Sequence, residues 1–337
     1  MPSFDAPAPG DGTLLAVALS GLRPKQHHPH SARVLDGWIA QAERQLGSDG
    51  GRLGWLVAST VVAGALQQAL DELGQPLFLL KGGTLLQHRL PHVARATTDL
   101  DGLVRGDLDV FLASLDDVLA RPWGPCTVRR NAVEQIEVPQ RVRKPRRFDV
   151  LVQVKGITWR RVQVEISADE GSAGAVGERF AAPSLAGLGL PTPDHLTGLA
   201  MRYQIAQKVH AVSDPHDPPH AVNDRARDVV DLILMRDLMK STGSPTLPEV
   251  KAAILDIFAV RARDAATVGY PQRRWPARVT AYPHWVASFS RAAESARMTL
   301  ALAAAVAEVN AFLEEIDASD DIDAIGEIAK SAVSPPG

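Results

Sequence analysis

Residues 78–103 read FLLKGGTLLQHRLPHVARATTDLDGL, and the fold turns on how that stretch divides. The apolar run ending at Leu80 is short enough for a buried strand, and Lys81-Gly82-Gly83 breaks it. Thr84 to His88 resumes with helix formers and one apolar face. A Gly-Gly pair between a strand and a helix points successive backbone N–H groups at one spot. The helix N-terminus adds partial positive charge, and the two together make a nest for an anion. Asp99 and Asp101 stand at i and i+2, so on an extended segment both carboxylates leave one face, while Leu100 and Leu103 turn to the core. Like charges held side by side need a positive partner. A pair of Mg²⁺ ions meets that need, and a nucleoside triphosphate is the ligand that spans metal and nest.

The ordered combination of Lys81-Gly82-Gly83-Thr84, a spacer over residues 84–98, and Arg95-Ala96-Thr97-Thr98-Asp99-Leu100-Asp101 resembles the DNA polymerase beta-like nucleotidyltransferase superfamily. Within it, the motif is similar to that of the AbiEii/AbiGii and MenT toxins. A lone Gly-Gly or a lone Asp-x-Asp decorates many ordinary turns; the information lies in their order after a strand. The resemblance implies an α+β fold: a small mixed sheet with helices, flanked by N-terminal helices and a C-terminal helical domain. The expected divisions are an N-terminal helical segment at 1–75, a nucleotidyltransferase core at 76–190 and a helical domain at 191–337.

Composition sets limits around that reading. The chain has 337 residues, enough for two or three domains. A net charge of −3 excludes a wholesale polyanion binder, so any nucleic-acid contact is local. The lone Cys126 excludes an internal disulfide and a cysteine zinc site, and reads as a small buried strand residue. No apolar run is long enough to span a membrane, and the opening residues lack a signal-peptide pattern. The expectation is a cytoplasmic protein.

Outside the central stretch, apolar spacing predicts helices over 32–46, 53–73 (capped by Gly74) and 108–120, with a further short one over 14–22 after a disordered start. Strands are predicted at 126–129, 135–138, 148–154 and 159–166, the last two joined by a Lys155-Gly156 turn. In the last strand Val162, Val164 and Ile166 share one face, and Gln163 and Glu165 the other. Residues 169–193 read as a linker. Helices follow over 195–212 (capped by Asp194), 225–240, 247–263, 283–316 and 320–332.

The resemblance also implies roles for particular residues. Asp99 and Asp101 hold Mg²⁺; Lys81, Gly82, Gly83, Thr84, Arg95 and Thr97 form the nucleotide site. Superfamily members carry a third carboxylate on the neighbouring strand. Val164-Glu165-Ile166-Ser167 fits that context, with Glu for the usual Asp, and Asp149 is the rival. The toxin families place a Lys helix before an Arg/Lys-Asp-x-x-Asp-Leu helix, which assigns Lys208 to charge neutralisation and Asp228 to a catalytic partner role. Taken singly, Lys208 reads as a surface lysine and Arg227–Asp231 as a surface i, i+4 pair. The implied activity is nucleotide transfer from an NTP to RNA, at the tRNA 3′ end, by a toxin restrained by a separately encoded antitoxin. Five basic residues in the seven from Arg141 to Arg147 suggest an RNA contact through Arg143, Lys144, Arg146 and Arg147. His216, Asp217 and His220 read as a polar loop before a metal site. Two alternatives stand: a small-molecule transferase of the aminoglycoside type, and a non-catalytic NTP sensor.

Overall fold

The computed structural model describes residues 19–46, 51–90 and 97–320. In chain order the elements are α1 (Ala32–Leu46), α2 (Arg52–Leu66), β1 (Phe78–Lys81), α3 (Gly82–Arg89), β2 (Asp99–Val104), α4 (Leu108–Leu119), β3 (Cys126–Arg130), β4 (Glu134–Gln135), β5 (Arg146–Val154), β6 (Ile157–Ala168), β7 (Gly177–Phe180) and β8 (Leu196–Leu199). Then come α5 (Met201–Val212), α6 (Ala226–Thr242), α7 (Leu247–Thr267), α8 (Val286–Ser295) and α9 (Leu302–Asp317). Two units divide the chain: Met1–Ile136 with Pro145–Ala168 and Gly177–Gly198, and Glu137–Lys144 with Asp169–Val176 and Leu199–Gly337.

The first unit is built on a mixed sheet of order β3-β5-β6-β2-β1-β8-β7, with β4 paired to β5. β1 runs antiparallel to β2, and β2 parallel to β6. The alternation of β6 holds: Val162, Val164 and Ile166 are buried on one face. Helices α1, α2 and α4 cover the sheet, and Phe111 of α4 stacks on Phe78 of β1. Lys155 and Gly156, both at positive φ, make the tight β5–β6 hairpin that their sequence predicts. Cys126 opens β3 and is buried, as its apolar neighbours require.

Several expected boundaries move. The second helix stops at Leu66, because Gln67 turns its side chain to the sheet: its amide donates to the carbonyls of Phe78 and Thr197 and accepts from the Thr197 N–H. Gly74 instead sits at φ 72° in a turn before Pro76. The stretch 169–193 is not a bare linker: it contributes β7 and a 3₁₀ turn at Ala186–Leu188. Residues 196–199, expected to open a helix, form the fully buried β8, parallel to β1, and Asp194 caps nothing. Of the strand expected at 135–138, Gln135 lies in β4 opposite Arg146 and the Ile136 N–H donates to the Pro145 carbonyl; the strand goes no further. The expected short helix over 14–22, the helix over 320–332 and the disordered start lie wholly or largely outside the described residues.

The second unit is a helical bundle. α5 packs on α6 and α7, and α8 and α9 pack on α6. α7 starts with a full capping box, Thr246 and Glu249 bonding reciprocally. The single helix expected over 283–316 is three pieces: a 3₁₀ turn at Pro283–Trp285, α8 and α9. Arg297, at φ 53°, reverses the chain after α8, with the Met298 N–H returned to the Ala293 carbonyl. Among the described residues no helix is long and apolar enough to cross a membrane.

Candidate active site

Lys81 ends β1 in extended backbone, and Gly82 then takes φ 65° to start α3. Glycine is required there twice over. The left-handed conformation disfavours a side chain, and a β-carbon would fall 2.0 Å from Asp101 Oδ2. The Asp101 carboxylate therefore lies against the first residue of α3. Thr84 is fully buried and donates its hydroxyl to the Asp99 carbonyl at 2.8 Å, tying α3 to β2. That bond engages the Thr84 hydroxyl, to which the resemblance assigns a nucleotide contact. Thr97 makes a longer bond to the same carbonyl, 3.5 Å. Arg95 lies outside the described residues.

Register across four strands puts Lys81 opposite Asp101, Asp101 opposite Glu165, and Glu165 opposite Arg147. Directly paired residues share a face, so one row reads cation, carboxylate, carboxylate, cation. The neighbouring row is Asp99, Gln163 and Asp149. Gln163 Nε2 donates to Asp99 Oδ1 at 3.1 Å, and Lys81 Nζ donates to Ser167 Oγ at 2.6 Å. Arg147 grips Glu165 Oε1 through Nε at 2.8 Å and Nη2 at 2.5 Å, and these bonds push its guanidinium further up from its ordinary pKa.

The rival carboxylate is placed differently. Asp149 stands two strands from Asp99, nearly buried, and is engaged by Asn131 Nδ2 at 2.8 Å and Arg161 at 2.5 Å. Asn131 also accepts from the Asp149 N–H, so this carboxylate closes a local knot between β5 and the segment after β3.

Asp99, Asp101 and Glu165 offer only carboxylate oxygens on one sheet face, the donor chemistry of a hard divalent cation. Yet among the described residues no three His, Cys, Asp or Glu side chains are gathered to hold a metal. Two are adjacent on β2, and the third is drawn onto Arg147. The same absence covers His216, Asp217 and His220; His216 instead stacks on His284 at 4.4 Å between ring centres.

In the second unit, Lys208 of α5 is buried and donates to Asp228 Oδ1 at 2.6 Å and to Asp231 Oδ2 at 2.7 Å. Neither the surface-lysine reading of Lys208 nor the surface-pair reading of Asp231 holds: Asp231 is 0 % exposed. The sequence reading gives Asp231 no buried role. The available signal was its surroundings, since Val229, Val230, Leu232, Ile233 and Leu234 are all apolar and a carboxylate among them needs a buried partner.

The profile of the family described as "Nucleotidyl transferase AbiEii toxin, Type IV TA system" matches residues 64–327. The chain belongs to the AbiEii family. It is thus a nucleotidyltransferase of a type IV toxin–antitoxin system. No curated protein matches the chain. Among solved structures it is similar to MenT4, a nucleotidyltransferase toxin from Mycobacterium tuberculosis H37Rv. That match has 19% identity and a TM-score of 0.51, and covers 84% of this chain and 90% of that one, a likeness of fold. A structure of the antibiotic-resistance factor ANT(2″)-Ia aligns at 16% identity over 63% of this chain and 93% of that one. Its TM-score of 0.30 is too low to support comparison. The span matched by the AbiEii profile contains Gly82, Asp99, Asp101, Glu165, Lys208 and Asp228.

The basic loop is largely engaged within the protein. Arg141 pairs with Glu170, Lys144 donates to the Val138 carbonyl, and Arg146 stands 3.9 Å from Asp109. With Arg147 on Glu165, Arg143 is the exposed member of the four expected RNA contacts.

Proposed function

We propose that this AbiEii-family enzyme transfers nucleotides from an NTP to RNA, at the tRNA 3′ end, and so blocks translation until its antitoxin intervenes. The supporting observation is the placement of Asp101: its carboxylate lies on the Gly82 backbone at the start of α3, beside Asp99 and in register with Glu165. In this reading the N–H groups at the start of α3 bind phosphate oxygens, aided by the partial positive charge of the helix end. Asp99 and Asp101 hold Mg²⁺, which when bound neutralises phosphate charge and aligns the attacking and leaving oxygens. Glu165 orients the acceptor hydroxyl or takes its proton. Lys81 fixes the floor of the site through Ser167. Lys208 and Asp228 are included as catalytic residues because the toxin families carry the same two-helix pattern. Rate then comes from positioning and charge neutralisation, as phosphoryl transfer requires. The RNA reading rests on the MenT-like resemblance and on exposed Arg143, and not on the basic loop as a whole. The test is to incubate purified protein with α-labelled NTPs, Mg²⁺ and total RNA, beside parallel reactions with small hydroxyl acceptors. Label on RNA supports the reading, and label only on small acceptors overturns its acceptor.

A further inference from the structure

The row Lys81, Asp101, Glu165, Arg147 leaves Arg147 holding the third carboxylate of the proposed metal face. Both guanidinium contacts fall on one oxygen, Glu165 Oε1, which Gln163 Nε2 also approaches at 3.5 Å. Glu165 and Arg147 are 29 % and 42 % exposed, so neither is locked by packing. β6 presents Glu165 beside Asp101, but the side chain is on Arg147, and no three carboxylates converge among the described residues. A guanidinium and a divalent cation compete for the same lone pairs, since each is satisfied by the ionised carboxylate.

We propose that Arg147 is a latch on Glu165, occupying one oxygen of the third carboxylate until a divalent cation displaces the guanidinium. The inference rests on the proposed metal role of the two aspartates. It makes Arg147 a positioning residue that acts through Glu165, in place of the RNA contact its loop suggested. The latch gives the Glu165 carboxylate a cationic partner before a metal arrives, and spares the fold three mutually repelling carboxylates. It also sets a threshold: cation binding must break a paired ion contact before the donor set is complete.

The measurement is Mn²⁺ affinity of the full chain without nucleotide, by titration calorimetry, for wild type, Arg147→Gln, Arg147→Lys, Glu165→Gln and the Arg147→Gln/Glu165→Gln double variant. Releasing the latch should tighten Mn²⁺ binding about fivefold in Arg147→Gln, the worth of a partly exposed ion pair. Arg147→Lys, which keeps the charge but loses the Nε/Nη2 fork, should also tighten it, by less. In the Glu165→Gln background the Arg147 substitution should change nothing, because the group it acts on is gone. Unchanged or weaker binding in Arg147→Gln overturns the latch. Equal tightening with and without Glu165 also overturns it, since the effect is then a general repulsion. If wild type and all variants fail to bind Mn²⁺, the metal face itself is wrong and the proposed function falls with the latch. Mn²⁺ binding that is lost on Asp101→Asn but indifferent to Arg147 removes the latch alone.

Discussion

A β-carbon on Gly82 would stand 2.0 Å from the Oδ2 atom of Asp101. The backbone of the first residue of α3 and the second carboxylate of β2 are thus in direct apposition, and no other amino acid fits between them. Gly82→Ala meets both the left-handed φ, costing about 1–3 kcal/mol, and the clash. The expected outcome is a protein less stable by that order in urea unfolding, with NTP transfer abolished because Asp101 is displaced. A variant with near-wild-type transfer would show that the apposition is not needed for chemistry.

Glu165 and Asp149 separate cleanly as targets. Glu165 is the register partner of Asp101, whereas Asp149 is bound by Asn131 and Arg161. Glu165→Gln should lower turnover by at least ~10²-fold with little change in unfolding midpoint. Asp149→Asn should lower the midpoint and leave most of the turnover. The reverse pattern in single-turnover assays would move the third carboxylate to β5.

Much of this face was legible beforehand, because it depends on local rules. The Gly-Gly break, the i, i+2 aspartates and the Val162/Val164/Ile166 alternation each follow from backbone geometry within one element. What escaped depends on distant partners. Leu196-Thr197-Gly198-Leu199 is a short stretch beside a helix with no strand pattern of its own, and its pairing with β1 makes it a strand. Gln67 ends α2 by reaching Phe78 and Thr197, which nothing nearby announces. The Ala-rich stretch after Trp285 has helix propensity throughout, yet the turn at Arg297 divides it. Asp231 looks like a surface acid until α5 brings Lys208 to it.

That lysine carries a stability prediction. With Lys208 replaced by Met, Asp228 and Asp231 are left buried on one helix face without its ammonium group. The loss should be about 3–5 kcal/mol at neutral pH, the scale for breaking a buried ion pair. Denaturant unfolding measures it; a loss under about 1 kcal/mol at neutral pH would return Lys208 to the surface reading.

His210 sets an acid limit. Burial, then Arg261 and Arg273, hold its imidazole far below the ordinary 6.5; Arg261 Nη1 lies 3.0 Å from Nδ1 and Arg273 Nη2 2.8 Å from Nε2. Folded, the ring stays neutral; unfolded, it takes a proton below about 6.5. The unfolded state therefore binds more protons in acid, and stability falls as pH drops through that value, by up to about 1.4 kcal/mol per unit from this group. His210→Gln should flatten the slope between pH 6.5 and 5 in urea titrations. An unaltered slope would place the acid sensitivity elsewhere.

The central claim is that the face carrying Asp99 and Asp101 performs nucleotide transfer. Its most direct test is pyrophosphate release, with transfer of α-label to RNA, by wild type and by Asp101→Asn at equal folded concentration with saturating NTP and Mg²⁺. The account predicts steady release by wild type and none above background by Asp101→Asn, whose unfolding midpoint stays close to wild type. Equal release by the two proteins would contradict it.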